Sequence, residues 1–416
     1  MDGMQEVIVI GGGVIGLTSA WWLLEAGYSV TLLERDAVGM AASYRNGGQL
    51  SYRYVAPLAD AGVPLKALQW LFQEHGPLRF KPEADLRQWR WLARFLANCN
   101  GAANARTTAK LLELGELSRR AMGELGALIA PADFGWRDAG KLVVYRSRSS
   151  FAAAVARPDP DGTRQVLSSS ECVAREPALA ALGPLLAGGI FNEGEAVADC
   201  YAFCHALAAR LAAHPRFKGT LRADVHRIVS ADGHVVGGLQ TTEGLLKADH
   251  YVLAAGIDSR DLAATIGIYL PLYPLKGYSL TAPIRAGDCA PSVSITDFER
   301  KVLYARIGDS LRVAAMVDMV GADTTIDAKR VASLSRQVRA TMPLAADYER
   351  MTAWAGLRPA TPDSAPIIGA TGYRNLWLNV GQGPLGFTFA CGSAKLLAGA
   401  IAGKAPPFAL SGLTLR

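Results

Sequence analysis

The first forty residues contain two short apolar runs separated by a longer helical pattern. Val7 to Ile10 is a β-branched run that predicts a buried strand, and Ser29 to Leu33 predicts a second. Between them, Val14 to Ala26 has the length and the apolar content of a helix, which Gly27 is expected to end. This order of strand, helix and strand predicts a parallel β-α-β unit at the N-terminus.

Glycines connect the first strand to the helix. Gly11, Gly13 and Gly16 have the spacing G-x-G-x-x-G, and Glu34 ends the second strand. In such a unit the first glycine permits a tight turn, the second lets a pyrophosphate approach the backbone, and the third lets the helix pack on the sheet. A dinucleotide site is therefore predicted. Glu34 lies where a carboxylate binds a ribose, which disfavours the 2′-phosphate of NADP and leaves NAD and FAD open.

Two sequence styles alternate over the rest of the chain. Short alternating runs predict an antiparallel sheet, whereas residues 219–256 return to the apolar style of the N-terminus. We therefore predict an α/β protein in which a Rossmann-type, dinucleotide-binding domain is interleaved with an α+β domain built on a mostly antiparallel sheet. The predicted segments are 1–56, 200–268 and 353–416 for the dinucleotide-binding domain, and 131–199 and 269–352 for the second domain.

Residues 57–130 are predicted to form a separate helical segment. Its first part, residues 57–100, carries aromatic residues at helical spacing among arginines and lysines, which is typical of an amphipathic helix at a membrane surface. The alternative is a pair of helices whose tryptophans face the core. The segment is thus a candidate docking surface for a membrane or a quinone. The aromatic residues concerned are Trp70, Phe72, Trp89, Trp91 and Phe95.

Composition and charge narrow the function classes. The chain has 416 residues, a formal net charge of +6 and no long basic block, so nucleic-acid binding is not expected. Its six cysteines form no CxxC pair, and neither a metal site nor a disulfide framework is predicted. The first residues are acidic and lack the basic region of a signal peptide, so we expect a cytoplasmic protein.

Two further stretches offer groups to a bound cofactor. Residues 37–49 are small and polar, and Ser43 and the stretch Asn46–Gln49 suit a loop that follows a cofactor. A second glycine-rich turn, Gly381–Thr388, begins a C-terminal helix, whose first N–H groups would stabilise negative charge on a reduced flavin. The two sites together favour FAD over NAD.

Several long stretches carry a resemblance to a known family. They are VIVIGGGVIGLTSAWWL, NGGQLSYRYVAPLADAGVPLKALQWLF, YPLKGYSLT, AGLRPATPD and NLWLNVGQGPLGFTFACGSAKLL. These stretches are similar to the FAD-dependent D-amino-acid oxidase superfamily, and within it to the bacterial D-amino acid dehydrogenase small subunits.

The resemblance implies that the interleaved domains are a Rossmann-type FAD-binding domain and an α+β substrate domain, and it also implies an activity. This activity is the oxidative deamination of D-amino acids to 2-oxo acids and ammonia through an imino acid, with hydride transfer from Cα to flavin N5. The electrons are expected to pass to a quinone or another non-oxygen acceptor, and the protein to be peripheral on the cytoplasmic face of the inner membrane. The alternatives are a dehydrogenase of D-proline or 4-hydroxy-D-proline, and an amino-acid oxidase that produces H2O2.

The resemblance also assigns residues to the site. It implies that Arg358 binds the substrate carboxylate, a role that suits the planar guanidinium fork. Tyr278 and Tyr304 are implied to bind the substrate and, with Arg358 and Gln382, to serve catalysis. Tyr52 and Tyr54 are further substrate-binding candidates, as lid residues. Gln382 replaces a histidine that is common in the family.

The expected cofactor is FAD bound without a covalent link, because no cysteine lies near Arg358. The residues expected to bind it are Gly11, Gly13, Val14, Ile15, Gly16, Glu34, Arg35, Ser43, Asn46, Gly47, Gly48, Gln49, Val225, Ala255, Gly256, Gly381, Gly383, Pro384, Leu385, Gly386 and Thr388.

Overall fold

The predicted N-terminal β-α-β unit is confirmed and forms the centre of a mostly parallel sheet. The computed structural model describes residues 4–71, 76–157, 159 and 162–415. In it β1 (Glu6–Ile10) pairs in parallel with β2 (Ser29–Glu34), and α1 (Val14–Glu25) connects them. The sheet has the order β19-β20-β13-β1-β2-β9. Its other strands are β9 (Phe217–Arg222), β13 (His250–Leu253), β19 (Ile367–Ala370) and β20 (Leu376–Val380).

A second, larger sheet is mostly antiparallel, which confirms the predicted fold class. Its order is β18-β14-β17-β16-β15-β5-β7-β6, with β4 beside β17. The pairs β5 with β15 and β4 with β17 are parallel, and the other pairs are antiparallel. The strands are β4 (Leu78–Phe80), β5 (Lys141–Tyr145), β6 (Arg164–Leu167), β7 (Gly188–Asn192), β14 (Tyr273–Pro283), β15 (Ser294–Asp297), β16 (Val302–Ile307), β17 (Ser310–Met319) and β18 (Thr352–Ala360).

One predicted segment is divided between the two sheets. The whole of β18 pairs with β14 of the larger sheet, so the first residues of the predicted FAD-binding segment 353–416 lie in the substrate domain. Two small sheets complete the fold, and one of them contains a hairpin that turns near residues 232–233. These strands are β3 (Gln49–Leu50) with β8 (Ala196–Val197), and β10 (Val225–Ser230), β11 (Val236–Thr241) and β12 (Gly244–Leu246).

Helices cover both sheets. The apolar helix α10 contacts α1 and α4 and belongs to the core around the parallel sheet. By length and composition Gly383–Ile401 could cross a membrane, but 61% of its most apolar window is buried inside the protein. The helices are α2 (Val63–Leu71), α3 (Leu86–Asn98), α4 (Gly101–Gly126), α5 (Arg148–Val155), α6 (Ser169–Arg175), α7 (Cys200–Ala212), α8 (Ser259–Ala264), α9 (Ala328–Thr341) and α10 (Gly386–Ile401).

The larger sheet has two distinct faces because successive side chains of a strand point in opposite directions. Leu280 and Val313 pack with Leu334 and Val338 of α9 in one hydrophobic core. The opposite face carries small residues, such as Ala314, and borders a large cavity. The substrate domain therefore presents one face to its own core and the other to the FAD-binding domain.

Candidate active site

A continuous cavity of about 2250 Å³ is lined by residues of both domains. At one end it reaches the β1–α1 turn and Glu34, and at the other it reaches β14, β17 and β18 of the larger sheet. The glycine motif and the stretch around Arg358, which are more than 300 residues apart in the chain, therefore line one space.

The three glycines of the motif are needed for different structural reasons. Gly11 has φ +110°, and a Cβ there would lie 2.6 Å from the carbonyl oxygen of Ala254. A Cβ on Gly16 would lie 1.7 Å from the carbonyl oxygen of Gly11, so this glycine is required by packing. A Cβ on Gly13 would meet only Ser43 Oγ, at 3.4 Å. The space beside Gly13 is thus free for a ligand.

Two side chains organise the turn. Glu34 Oε2 accepts a hydrogen bond of 2.6 Å from the N–H of Gly12, and Ser43 Oγ accepts one of 3.0 Å from the N–H of Val14. Both residues also line the cavity. The carboxylate that the sequence associates with a ribose therefore has a structural role as well, because it ties the turn to the end of β2.

Most of the predicted cofactor residues line the cavity, and three do not. Gly16 packs on Gly11; Gly381 (φ +83°) packs on Thr361; and Thr388 Oγ1 accepts a buried hydrogen bond of 3.1 Å from the N–H of Ser51. We correct these three to supporting residues. The cavity-lining residues of the prediction are Gly11, Gly13, Val14, Ile15, Glu34, Arg35, Ser43, Asn46, Gly47, Gly48, Gln49, Val225, Ala255, Gly256, Gly383, Pro384, Leu385 and Gly386.

The loop Asn46–Gln49 rests on the larger sheet. A Cβ on Gly47 would lie 3.3 Å from Leu303 and 3.5 Å from Ala314. Arg312, which the sequence did not single out, donates a hydrogen bond of 2.9 Å to the carbonyl oxygen of Asn46. The loop thus connects the two domains along the cavity, and an arginine of the substrate domain fixes its start.

Arg358 lies over the backbone of the neighbouring strand. A Cβ on Gly277 would be 2.2 Å from its guanidinium, so any side chain at this position would displace the guanidinium. Its Nη1 donates a hydrogen bond of 3.0 Å to the carbonyl oxygen of Met316. Met316 has φ +68° and lies where the register of β17 against β14 shifts. This bulge directs a carbonyl group at the guanidinium and so fixes its orientation.

The charge of Arg358 has no anionic partner within the described part of the chain. No carboxylate oxygen of those residues lies within 4.0 Å of its guanidinium nitrogens. Burial lowers the pKa of this group to about 10, although the charge of Asp318 acts in the opposite direction. A half-buried guanidinium that lines a cavity in this way is suited to a ligand carboxylate.

Of the four predicted tyrosines, Tyr278 and Tyr54 line the cavity, and Tyr304 and Tyr52 do not. The hydroxyl of Tyr278 donates a hydrogen bond of 3.3 Å to Asp318 Oδ2 in the core next to α9. Other atoms of Tyr278 line the cavity. Tyr304 is fully buried in that same core, and Tyr52 is buried in the core around α1. Neither lines the cavity, so we withdraw the substrate-binding roles predicted for Tyr304 and Tyr52. Tyr54 does line it.

Gln382 lines the cavity and is held by buried amides. Its Nε2 donates a hydrogen bond of 2.7 Å to Asn379 Oδ1, and Asn379 Nδ2 donates one of 3.0 Å to Ser19 Oγ. Through this chain of hydrogen bonds the side chain that replaces the family histidine is connected to α1.

Lys141 is a buried cation of the cavity that sequence reasoning missed. Its ammonium donates one hydrogen bond to Gln49 Oε1 and another, of 3.0 Å, to Ser51 Oγ. The ammonium nitrogen lies 4.6 Å from the ring centroid of Tyr54. Burial lowers the pKa of Lys141 to about 8, while Glu195 acts in the opposite direction. An isolated lysine in the strand KLVVY gives no sign that it meets a loop about ninety residues earlier.

A pH dependence follows for Lys141. Its pKa is about 8 in the folded protein and about 10.4 in an unfolded chain, so the unfolded state binds more protons between these values. The contribution of Lys141 to the free energy of unfolding is therefore expected to rise with pH across this window. Relative to Lys141→Met, the wild type should gain roughly 2 to 3 kcal/mol between pH 7.5 and 10.5 by urea unfolding. Parallel pH profiles of the two proteins would contradict this.

Together, the glycine cradle and the half-buried guanidinium in one cavity are the arrangement expected of a dinucleotide-dependent oxidoreductase. The space beside Gly13, which the protein leaves free, fits a pyrophosphate, and Glu34 and Ser43 would hold the nucleotide part of such a cofactor. The chain matches the family described as "DAO: FAD dependent oxidoreductase" over residues 6–400. It belongs to this family, and FAD is its cofactor.

Individual relatives agree with this assignment. A Pseudomonas aeruginosa protein named D-amino acid dehydrogenase 2 is 49% identical over 413 residues, covering 99% of this chain and 98% of the relative. A Ralstonia nicotianae protein of the same name is 43% identical over 418 residues, covering 97% of this chain and 98% of the relative. The structure of glycine oxidase from Bacillus cereus superposes with a TM-score of 0.73 at 18% identity, covering 99% of this chain and 98% of the other. This similarity shows that the two proteins share a fold.

Proposed function

We propose that this chain catalyses the FAD-dependent oxidation of D-amino acids to imino acids, which water hydrolyses to 2-oxo acids and ammonia. The observation that carries the proposal is the guanidinium of Arg358, half-buried at the cavity and without a carboxylate partner in the described residues. The similarity to proteins named D-amino acid dehydrogenase supports the configuration of the substrate and an acceptor other than oxygen.

The residues of the chain bind and orient the substrate. FAD, when bound, supplies the acceptor of the hydride that leaves Cα. The guanidinium of Arg358 binds the substrate carboxylate through two parallel hydrogen bonds, and the hydrogen bond to Met316 keeps it from rotating. Because Gly277 has no side chain, the guanidinium lies flat on the sheet and leaves the cavity open above it. Fixing the substrate in this way replaces a random encounter by a positioned one.

Anaerobic mixing tests the proposal. The purified holoenzyme is mixed with a panel of D-amino acids, including D-proline and 4-hydroxy-D-proline, and with the L-enantiomers, while the flavin absorbance is followed. Bleaching by D-enantiomers alone is the expected result. A flavin that stays oxidised with every member of the panel would reject the proposed activity. Comparison of dye reduction with H2O2 formation in air then separates a dehydrogenase from an oxidase.

We further propose that α2 and α3 dock on a membrane, where a quinone accepts the electrons. Leu65 and Leu68 of α2 are 68% and 58% exposed, and Trp89 of α3 is 45% exposed. Basic residues, including Arg90, alternate with them. Trp91, in contrast, is buried, as in the core-facing alternative. Exposed apolar residues among cations favour an anionic lipid surface. Phe72 of the predicted surface lies outside the described residues.

Vesicle sedimentation tests the docking surface. The double variant Leu65→Asp/Leu68→Asp is expected to bind phosphatidylcholine vesicles that contain phosphatidylglycerol about tenfold more weakly than the wild type, because two apolar contacts are replaced by like charges. The matched control is Leu112→Asp/Leu128→Asp, which adds the same charge at exposed leucines elsewhere. Equal binding of both double variants, or no lipid binding by the wild type, would reject the surface.

A further inference from the structure

One branch of the cavity is lined by α2, α5 and the start of β16, and β17 separates β16 from the strand over which Arg358 lies. Its walls carry aromatic rings: the centroids of Tyr145 and Phe298 are 4.9 Å apart, and Tyr54 belongs to the same hydrophobic cluster. All three residues line the cavity, and the turn between β15 and β16 forms the rim. The branch thus has a rigid aromatic wall on the side of the larger sheet.

Lysines converge on this wall. Lys301 Nζ lies 3.7 Å and Lys66 Nζ 6.0 Å from the ring centroid of Phe298, and Lys141 Nζ lies 4.6 Å from that of Tyr54. None of the three lysines has an ion-pair partner within 4.0 Å among the residues that the structure covers. Arg157 also lines the branch.

Three carboxylates lie near these four cations, and each of them also accepts a backbone hydrogen bond; they are Asp60, Glu195 and Glu299. Asp60 Oδ1 accepts a hydrogen bond of 3.1 Å from the N–H of Gly62, and Glu299 Oε2 accepts one of 2.8 Å from the N–H of Arg146. The charges of these two carboxylates raise the pKa of Lys301, whereas those of Lys66 and Arg157 lower it. Burial, reinforced by the charge of Lys66, lowers the pKa of Lys301. The branch is therefore electropositive, with like charges held close together.

The rim is held in an uncommon conformation. Lys301 has φ +56°, in the left-handed region that residues with a side chain seldom adopt. The turn therefore holds the lysine at the entrance to the branch, and a bound anion would relieve its repulsion from Lys66.

We propose that this branch is a second anion subsite, distinct from Arg358, which binds the distal carboxylate of a dicarboxylic ligand. It rests on the proposed function, since the ligand's first carboxylate is the one that Arg358 takes. Two ligands could supply the distal carboxylate: an acidic D-amino acid, through its side chain, or the corresponding 2-oxo acid product. A charged hydrogen bond or ion pair to each lysine, backed by an aromatic ring, supplies the affinity.

Two nearly isosteric substrates test the subsite. D-glutamate and D-glutamine differ in distal charge, and their affinities for the holoenzyme follow from anaerobic flavin reduction at low ionic strength. D-glutamate is expected to bind the wild type about tenfold more tightly than D-glutamine. In Lys66→Gln/Lys301→Gln this ratio should fall close to one. The control Lys218→Gln/Lys247→Gln removes the same charge at exposed positions away from the cavity and should retain the ratio.

A second measurement does not depend on turnover. Calorimetry of 2-oxoglutarate and 2-oxohexanoate with the oxidised holoenzyme compares a distal carboxylate with an uncharged ethyl group of similar size. A preference for 2-oxoglutarate that disappears in Lys66→Gln/Lys301→Gln, without a preference for D-glutamate, assigns the subsite to the product. The absence of both preferences in the wild type overturns the subsite. Failure of every D-amino acid to reduce the flavin would instead overturn the proposed function, and the calorimetry would still decide the subsite.

Discussion

Replacement of Arg358 by methionine is expected to lower kcat/KM for D-amino acids by roughly a hundredfold or more while FAD stays bound. Loss of one partner of a buried, charged pair costs about 2 to 5 kcal/mol, and each 1.4 kcal/mol is tenfold. The methionine keeps much of the volume over Gly277, so the sheet should remain intact. Steady-state kinetics with an artificial acceptor give the effect, and the ratio of flavin to protein absorbance reports FAD content.

Two controls make this result specific. Arg358→Lys keeps the charge but loses the planar fork, so it should recover only part of the activity. Arg227→Met removes an exposed arginine of β10 that does not line the cavity, and should leave kcat/KM unchanged. A normal kcat/KM in Arg358→Met would remove Arg358 from the site.

Replacement of Gly13 by valine is expected to yield a folded protein that has lost FAD. The protein itself leaves room at this position, since the nearest atom to a Cβ would be Ser43 Oγ at 3.4 Å. The added methyl groups would occupy the space that the cofactor needs, and we expect its affinity to fall about a hundredfold. Absorbance of the purified protein and titration of the apoprotein with FAD measure the loss, while circular dichroism checks the fold.

The same motif supplies the contrast. Gly16→Ala places a Cβ 1.7 Å from the carbonyl oxygen of Gly11, so this variant should fail to fold or melt far below the wild type. Gly13→Val and Gly16→Ala would then both lack FAD, but for different reasons that a melting curve separates. If Gly13→Val retains FAD with the affinity of the wild type, the cradle is not where the cofactor binds.

Local patterns explain which parts could be predicted. The β-α-β unit at residues 6–34 depends on periodicity and glycine spacing within one short stretch, and the structure confirms it. The loop Asn46–Gln49 was predicted from its small, polar composition, and it lines the cavity. The alternation of two sequence styles was enough to predict interleaved sheets, because each sheet imposes its own pattern on its strands.

The site residues that were misplaced or missed depend on which face of a strand a side chain occupies and on pairing between distant parts of the chain. Tyr304 was predicted to bind the substrate, but which face of a strand meets the cavity depends on pairing, and this side chain packs beside α9. The bulge at Met316 orients Arg358, and no residue type in the sequence signals it. Lys141 contacts Gln49 only because separate parts of the chain meet in the fold. Such contacts depend on the tertiary structure and not on local propensity.

The contact between Gly11 and Ala254 also determines when the cofactor site can form during synthesis. β1 pairs with β13 on one side, and β13 pairs with β20, so the strand that carries the glycine motif acquires its neighbours from segments made much later. Pairing over such sequence distances is slow. A ribosome-bound chain with only its first domain segment exposed lacks the wall of the cradle, and cofactor capture is postponed until most of the polypeptide has been released.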